Sequence, residues 1–205
     1  MIKQNIKVID LYCGLGGWTT GLIENNIDVT GYDIVDFSDK YPSKFVKADL
    51  LTYNNFDNCD IIVASPPCTD FTKSSFPKTW RVVKDYPPDI PSAMKLFNRV
   101  YEIVDIVKPV YYLIENVRGA QKYVGKAKFH IGSRYFWGTF PNFTVTNKED
   151  IYGKSYVAPS KDRPAIRAKI PLSISRAFAK TIIERFKQYE TGDWMKNKFF
   201  KELRF

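Results

Sequence analysis

The chain has 205 residues, a formal net charge of +9, and 44% hydrophobic and 16% aromatic residues. That apolar content suffices for one core and one domain with at most a small appendage, and the cationic excess favours a polyanionic partner, nucleic acid ahead of a membrane surface. Three cysteines without a Cys-x-x-Cys pair, and a single histidine, His130, argue against a disulfide framework or a zinc centre and for a reducing, cytoplasmic setting.

The first twelve residues carry a strand pattern rather than a signal peptide, no apolar run is long enough to span a bilayer, and no internal repeat is present. In chain order, buried strands are predicted at 6–12, 28–33, 44–49, 60–65 and 110–116. Four of these hold β-branched or aromatic residues in a run rather than in strict alternation, the pattern of strands covered on both faces. A short helix is predicted over 17–25, stopping at Asn25-Asn26. A clearer one covers 92–107, where Ala93, Phe97, Val100, Val104 and Val107 recur at helical spacing, Ser92 can cap and Pro109 follows the end. Such alternation predicts a doubly wound, mostly parallel α/β sheet. A hairpin is predicted over 128–138 with its turn at Gly132-Ser133, and a last amphipathic helix over 173–188 with Phe178, Ile182, Ile183 and Phe186 on one side. Residues 139–170 are polar, basic and without a clear pattern. The tail beyond Gly192 mixes lysines with aromatic residues.

In a sheet of this kind ligands bind outside the carboxyl ends of the strands. The first predicted strand runs into Asp10-Leu-Tyr-Cys-Gly-Leu-Gly-Gly17, whose glycines permit a tight turn and close approach to a ligand. The second ends at Asp33, about 20 residues on, where a ribose hydroxyl would want a carboxylate. The third ends at Asp49, the fourth delivers Pro66-Pro67-Cys68, and the fifth delivers Glu115-Asn116. Taken singly, each has a plain reading: a turn, a cap, a small buried thiol, an ion-paired acid. Together they put a nucleoside-type site, a thiol and a carboxyl group on one rim.

These stretches, in this order, resemble the C5-cytosine methyltransferases that use S-adenosylmethionine. DLYCGLGG is similar to that family's cofactor loop, with Tyr12 where Phe is usual. GYD resembles its ribose-binding step, with Asp33 where Glu is commoner, and Lys47-Ala48-Asp49 its adenine-binding turn. SPPC resembles its catalytic loop, Glu115-Asn116-Val117 its ENV step, and Arg134 in SRYFWG its arginine beside the target base. The resemblance implies a Rossmann-like methyltransferase fold and S-adenosylmethionine held by Asp10, Tyr12, Cys13, Gly14, Gly16, Gly17, Asp33, Ile34, Asp49, Leu50 and Pro66, with Ser173 and Ser175 in place of an absent asparagine turn. It further implies that Cys68 adds to C6 of cytosine so that C5 becomes nucleophilic, that Pro66 and Pro67 restrict how the sulfur is presented, that Glu115 acts as the acid at N3, that Asn116 holds either the neighbourhood of Pro67 or Glu115 in place, and that Arg134 contacts the base or phosphate or favours the thiolate.

A base inside a duplex has to be flipped out for such chemistry. Lys73, Lys78, Arg81 and Lys84 are candidates for phosphate contact and Trp80 for filling the vacated stack, with Arg163 and Arg167 as further phosphate contacts. The expected organisation is a catalytic core over 1–138, a short basic target-recognition segment over 139–170, and over 171–205 a helix returning to the core plus a tail. So short a segment predicts loose specificity, or specificity supplied by a protein partner. The expected substrate is double-stranded DNA. The same chemistry on RNA or tRNA, a nucleic-acid-binding module without turnover, and an altered cofactor remain as alternatives.

Overall fold

The computed structural model describes residues 6–74, 87–147, 149–152 and 163–190. Seven strands form one sheet: β1 (Lys7–Leu11), β2 (Asp28–Asp33), β3 (Lys44–Lys47), β4 (Ile61–Ala64), β5 (Tyr111–Asn116), β6 (Phe129–Ile131) and β7 (Arg134–Thr139). Their order is β3-β2-β1-β4-β5-β7-β6. The pairings β3–β2, β2–β1, β1–β4 and β4–β5 are parallel, whereas β5–β7 and β7–β6 are antiparallel. The predicted doubly wound, mostly parallel sheet is therefore present, and the chain changes direction of travel across the sheet at β1, between β2 and β4.

Alternation along the strands explains why they read as continuous apolar runs. Val8, Val29, Ile61, Val63, Tyr111, Leu113 and Phe136 point to one face; Ile9, Leu11, Tyr32, Ile62, Ala64 and Ile114 point to the other. The first face is covered by α1 (Gly17–Ile23) and α7 (Leu172–Glu190), the second by α2 (Thr69–Ser74) and α3 (Ile90–Val107). Short elements complete the described chain: a 3-10 turn at Arg118–Ala120, α4 (Gln121–Val124), α5 (Glu149–Tyr152) and α6 (Arg163–Ala168). Among the described residues no helix is long and apolar enough to cross a membrane.

Several boundaries differ from the sequence reading for local reasons. Helix α3 begins two residues before Ser92, because Asp89 is the cap: its carboxylate accepts from the Ser92 backbone N–H at 3.1 Å and Pro91 occupies the first turn. Ser92 is thus a donor to the cap rather than the cap itself. Helix α1 stops at Ile23, and Asn26 takes the left-handed conformation (φ 59°) that ends the excursion. The start of the expected recognition segment packs with the core: Phe140, Phe143 and Val145 are buried beside Phe136 and Phe178. Their apolar character, interrupted by polar residues at 142 and 144, is the signal a reading based on charge passes over.

Helices α1 and α7 meet at backbone distance. A Cβ on Gly17 would stand 2.4 Å from the Ile170 nitrogen, and one on Gly21 2.7 Å from the Arg176 nitrogen. Gly17, expected to serve a ligand, lines the glycine-turn cavity and also admits the backbone of Ile170, two residues before α7, while Gly21, four residues on, admits α7 itself. We predict that Gly21→Ala, despite a helix-propensity gain of roughly 1 kcal/mol, lowers stability through overpacking that costs about 1–3 kcal/mol. Thermal unfolding should shift down by about 2–4 °C per kcal/mol lost. An unchanged or raised midpoint would show that the two helices have slack at this point.

Candidate active site at the carboxyl edge of the sheet

Parallel pairing of β1 through β5 delivers the ends of all five strands to one edge, and the sequence-predicted residues gather there. The turn after β1 uses left-handed backbone at Tyr12 (φ 55°), Gly14 (φ 49°) and Gly16 (φ 72°). The Gly14 N–H donates to the Asp33 carboxylate at 2.9 Å, tying the β1 and β2 ends together, and the Cys13 N–H donates to the Tyr32 carbonyl at 3.2 Å. The other Asp33 oxygen accepts from the Val35 N–H at 3.0 Å. A Cβ on Gly14 would meet nothing within 4 Å, so this glycine borders open space, whereas one on Gly16 would strike the Pro42 ring at 2.7 Å.

Asp10 lies beneath this turn, almost fully buried. Its Oδ2 accepts from the Thr19 hydroxyl at 2.8 Å and the Tyr41 hydroxyl at 3.3 Å. Its Oδ1 has no hydrogen-bond partner among the described residues. Burial pushes the Asp10 carboxyl up to about 7, against the hydrogen bonds from Thr19 and Tyr41 and with help from the Asp33 charge. A cavity of about 70 Å³ opens beside it, lined by Asp10, Tyr12, Cys13, Gly14 and Ser65, with Ala168 to Ile170 on the opposite wall. Pockets that enclose whole ligands run to about 300–1,000 Å³, so this cavity suits one end of a cofactor. Ile34 (62% exposed) and Asp49 stand open on the rim beyond it. Leu50 is buried, and Asp49 spends one oxygen on the Leu51 N–H at 3.0 Å. An orphaned buried carboxylate oxygen and a glycine bordering empty space fit a polar, partly cationic ligand such as S-adenosylmethionine.

The candidate catalytic residues sit on β5, on β7 and in the loop that follows β4. Pro66 is buried and Pro67 exposed, and the Asn116 amide donates to the Pro66 carbonyl at 2.9 Å while its oxygen accepts from the Val117 N–H at 2.9 Å. Asn116 thus holds the loop that carries Cys68. Glu115 is 4% exposed. The Arg134 guanidinium, from the antiparallel β7, donates to it at 3.2 Å and also reaches the Lys169 carbonyl at 3.1 Å. Burial raises the Glu115 carboxyl above its usual value, opposed by Arg134 and by a hydrogen bond from Ser65. Burial also raises the Cys68 thiol; the nearby Glu115 charge adds to the rise, while Arg134 and the Thr72 hydroxyl oppose it. The strand that leads into Cys68, β4, pairs with β5, which carries Glu115.

Four residues beyond the expected site also contribute. Ser65 accepts from the Trp18 indole at 3.1 Å and bonds Glu115, so it joins the cofactor side to the acid. Tyr41 and Thr19 hold Asp10. Thr72 donates to the Cys68 carbonyl at 3.0 Å. Ser65 adjoins the Pro-Pro-Cys stretch and was within reach of that motif; nothing local marks Tyr41.

Other expectations fall elsewhere. Ser175 is buried and donates to the Trp18 carbonyl, and Ser173 bonds Asp150 and lines a separate cavity of about 1,000 Å³ between residues 142–147 and α7. Neither serine faces the glycine-turn cavity, because α7 is drawn against α1 and the wall is formed by the residues just before it. Lys73 pairs with Asp70 at 3.0 Å. Lys78, Trp80, Arg81 and Lys84 lie outside the described residues, as do the side chains of Arg163 and Arg167. Among the described residues no cluster could hold a metal ion.

The opposing charges around Cys68 set a measurable order of reactivity. Iodoacetamide labelling, followed by mass spectrometry, should quicken between about pH 7 and about pH 9, since the thiolate reacts and the thiol is held above its usual range. Glu115→Gln should speed labelling of Cys68 and Arg134→Ala should slow it. Equal rates in all three proteins would separate the thiol from both charges. Cys59, pushed up to about 12 by burial, should label far more slowly.

The sequence profile described as C-5 cytosine-specific DNA methylase matches residues 6–131. Among solved structures, the chain is similar to a protein of an E. coli prophage described as a DNA modification methyltransferase, with 26% identity over 58% of this chain and 35% of that one and a TM-score of 0.43. It is also similar to the S. pombe Dnmt2 methyltransferase, with 25% identity over 58% and 36% and a TM-score of 0.41. The Entamoeba histolytica methyltransferase EhMeth matches at 22% identity over 58% and 40%, with a TM-score of 0.41. The matched part thus spans little more than a third of these longer chains, and at such TM-scores none of them decides the substrate. With the profile covering more than half of its length, the chain belongs to the C-5 cytosine-specific DNA methylase family.

Proposed function

We propose that the protein methylates C5 of cytosine in double-stranded DNA through a transient bond between Cys68 Sγ and C6, with the target base turned out of the helix. The observation that carries this reading is the buried Glu115 carboxyl, gripped by Arg134 at 3.2 Å on β5, the strand paired with the β4 end that leads into Pro66-Pro67-Cys68.

When bound, the cofactor supplies the methyl group that C5 receives. The remaining work belongs to the chain. Cys68 adds to C6 and raises electron density at C5. Glu115, kept protonated to higher pH than an exposed carboxyl, shares its proton with N3 and stabilises the ring as the sulfur adds. Arg134 holds Glu115 in place and favours the thiolate. Asn116 fixes the Pro66 carbonyl, and with it the approach of Cys68. A base such as solvent water then takes the C5 proton, the electron pair reforms the C5–C6 double bond and expels the Cys68 thiolate, and Glu115 takes its proton back from N3. Asp10, Tyr12, Cys13, Gly14, Asp33, Ile34 and Asp49 border the space for the cofactor. The net charge of +9 supports a polyanionic substrate.

Tritiated S-adenosylmethionine, offered with duplex DNA or with tRNA, should place label in 5-methylcytosine of the DNA. Label confined to tRNA would move the same chemistry to RNA, and cofactor binding with no label in either would leave a binding module. Duplex containing 5-fluorocytosine should trap a covalent adduct that Cys68→Ser abolishes; an adduct surviving that change removes Cys68 from its role. Glu115→Gln should slow turnover by about 100-fold or more while leaving affinity for S-adenosylhomocysteine within about twofold of wild type. An equal loss in both would assign Glu115 to binding rather than to acid chemistry.

A further inference from the structure

The loops after β1 and β3 flank the cofactor space, yet no strand pairing sets the distance between them, because β2 lies between the two strands. Both loops are instead fastened to α3. The Tyr12 hydroxyl donates to the Leu96 carbonyl at 2.9 Å. Three residues along the same helix, Arg99 is buried (7% exposed); its Nε donates to the Leu50 carbonyl at 2.7 Å and its Nη2 to the Tyr53 carbonyl at 2.8 Å and the Asn54 side chain at 2.5 Å. Its Nη1 is held by Glu102 at 2.7 Å, which fixes the plane of the fork.

Tyr12 itself sits at φ 55°, a conformation that bulky residues rarely adopt and that persists only where surroundings impose it. Tyr12 lines the cavity beside Asp10. The resemblance has Phe in this place, so the hydroxyl adds a tether that ring packing does not require.

We infer that the Tyr12 hydroxyl and the Arg99 guanidinium are positioning groups, which set from one turn of α3 the width of the space that receives the adenosine half of the cofactor. The inference rests on the reading of this rim as the S-adenosylmethionine site.

The test is calorimetric titration of the full chain with S-adenosylhomocysteine and with 5′-methylthioadenosine, which lacks the amino-acid half. Tyr12→Phe should weaken both ligands by the same factor, roughly 3- to 10-fold, the loss of one hydrogen bond. Arg99→Met should weaken both by about 10-fold or more, with Arg99→Lys between it and wild type, because lysine restores a donor without the fork. In turnover, KM for S-adenosylmethionine should rise in Tyr12→Phe while kcat holds. Ile103→Val, a core change on the same helix, should lower the melting temperature with affinities within about twofold of wild type. If Tyr12→Phe binds both ligands as wild type does, or if only S-adenosylhomocysteine is weakened, the inference is overturned, and Tyr12→Phe decides the matter even should Arg99→Met fail to fold. A wild-type chain that binds neither ligand overturns the cofactor reading itself, and this inference with it.

Discussion

Parallel pairing is the constraint on which everything else in this molecule rests. Because β1, β2, β3, β4 and β5 all run the same way, each hands its following loop to one edge, and residues far apart in the chain become neighbours there. Parallel strands of this kind must be covered on both faces, which is why the two apolar clusters divide so evenly along alternate residues of the same strands. The edge is where the coverage ends, so polar groups can be held there at intermediate depth: buried enough to be perturbed, close enough to solvent to react.

That depth governs the electrostatics. Glu115 and Asp10 are carboxyl groups at the ends of nearby strands, both raised by burial, but answered differently. Glu115 meets a guanidinium and a serine. Asp10 meets only neutral donors, from Thr19 and Tyr41, and its Oδ1 is left without a partner among the described residues. The first arrangement keeps a proton available while fixing the direction of its donor; the second leaves a site where negative charge becomes favourable only when something positive or hydrogen-bonding arrives. Arg134 comes from the antiparallel hairpin, so it approaches Glu115 from the neighbouring strand without competing for space with the loops of the parallel strands.

Much of this was legible from residue order alone. The five strands, the helix before β5, the hairpin and the last helix follow from apolar runs and spacing, and Asp10, Gly14, Asp33, Cys68, Glu115 and Arg134 fall at strand ends or turns where the sequence places them. What escaped were contacts with no local signature. Tyr41 reaches Asp10 across 31 residues, and Arg99 reaches Leu50 across 49; neither carries a spacing or composition cue. Gly17 was legible as a turn glycine but not as the point where the backbone just before α7 arrives. Phe140, Phe143 and Val145 lie in a stretch whose charge dominates its appearance, although burial follows their apolar side chains. Ser173 and Ser175 failed for a related reason: chemistry assigned to residue type ignored which side of α7 is pressed onto α1.

One contact reaches beyond its own neighbourhood. The Arg134 guanidinium divides its N–H groups between the Glu115 carboxylate and the main-chain oxygens of Ala168 and Lys169, and those same two residues form a wall of the cavity beside Gly14. The wall and the acid are thus two ends of a single lever with its fulcrum at position 134. Any displacement of that stretch of backbone redistributes the cation's attention, so the interior carboxyl group registers a change in the wall without touching it.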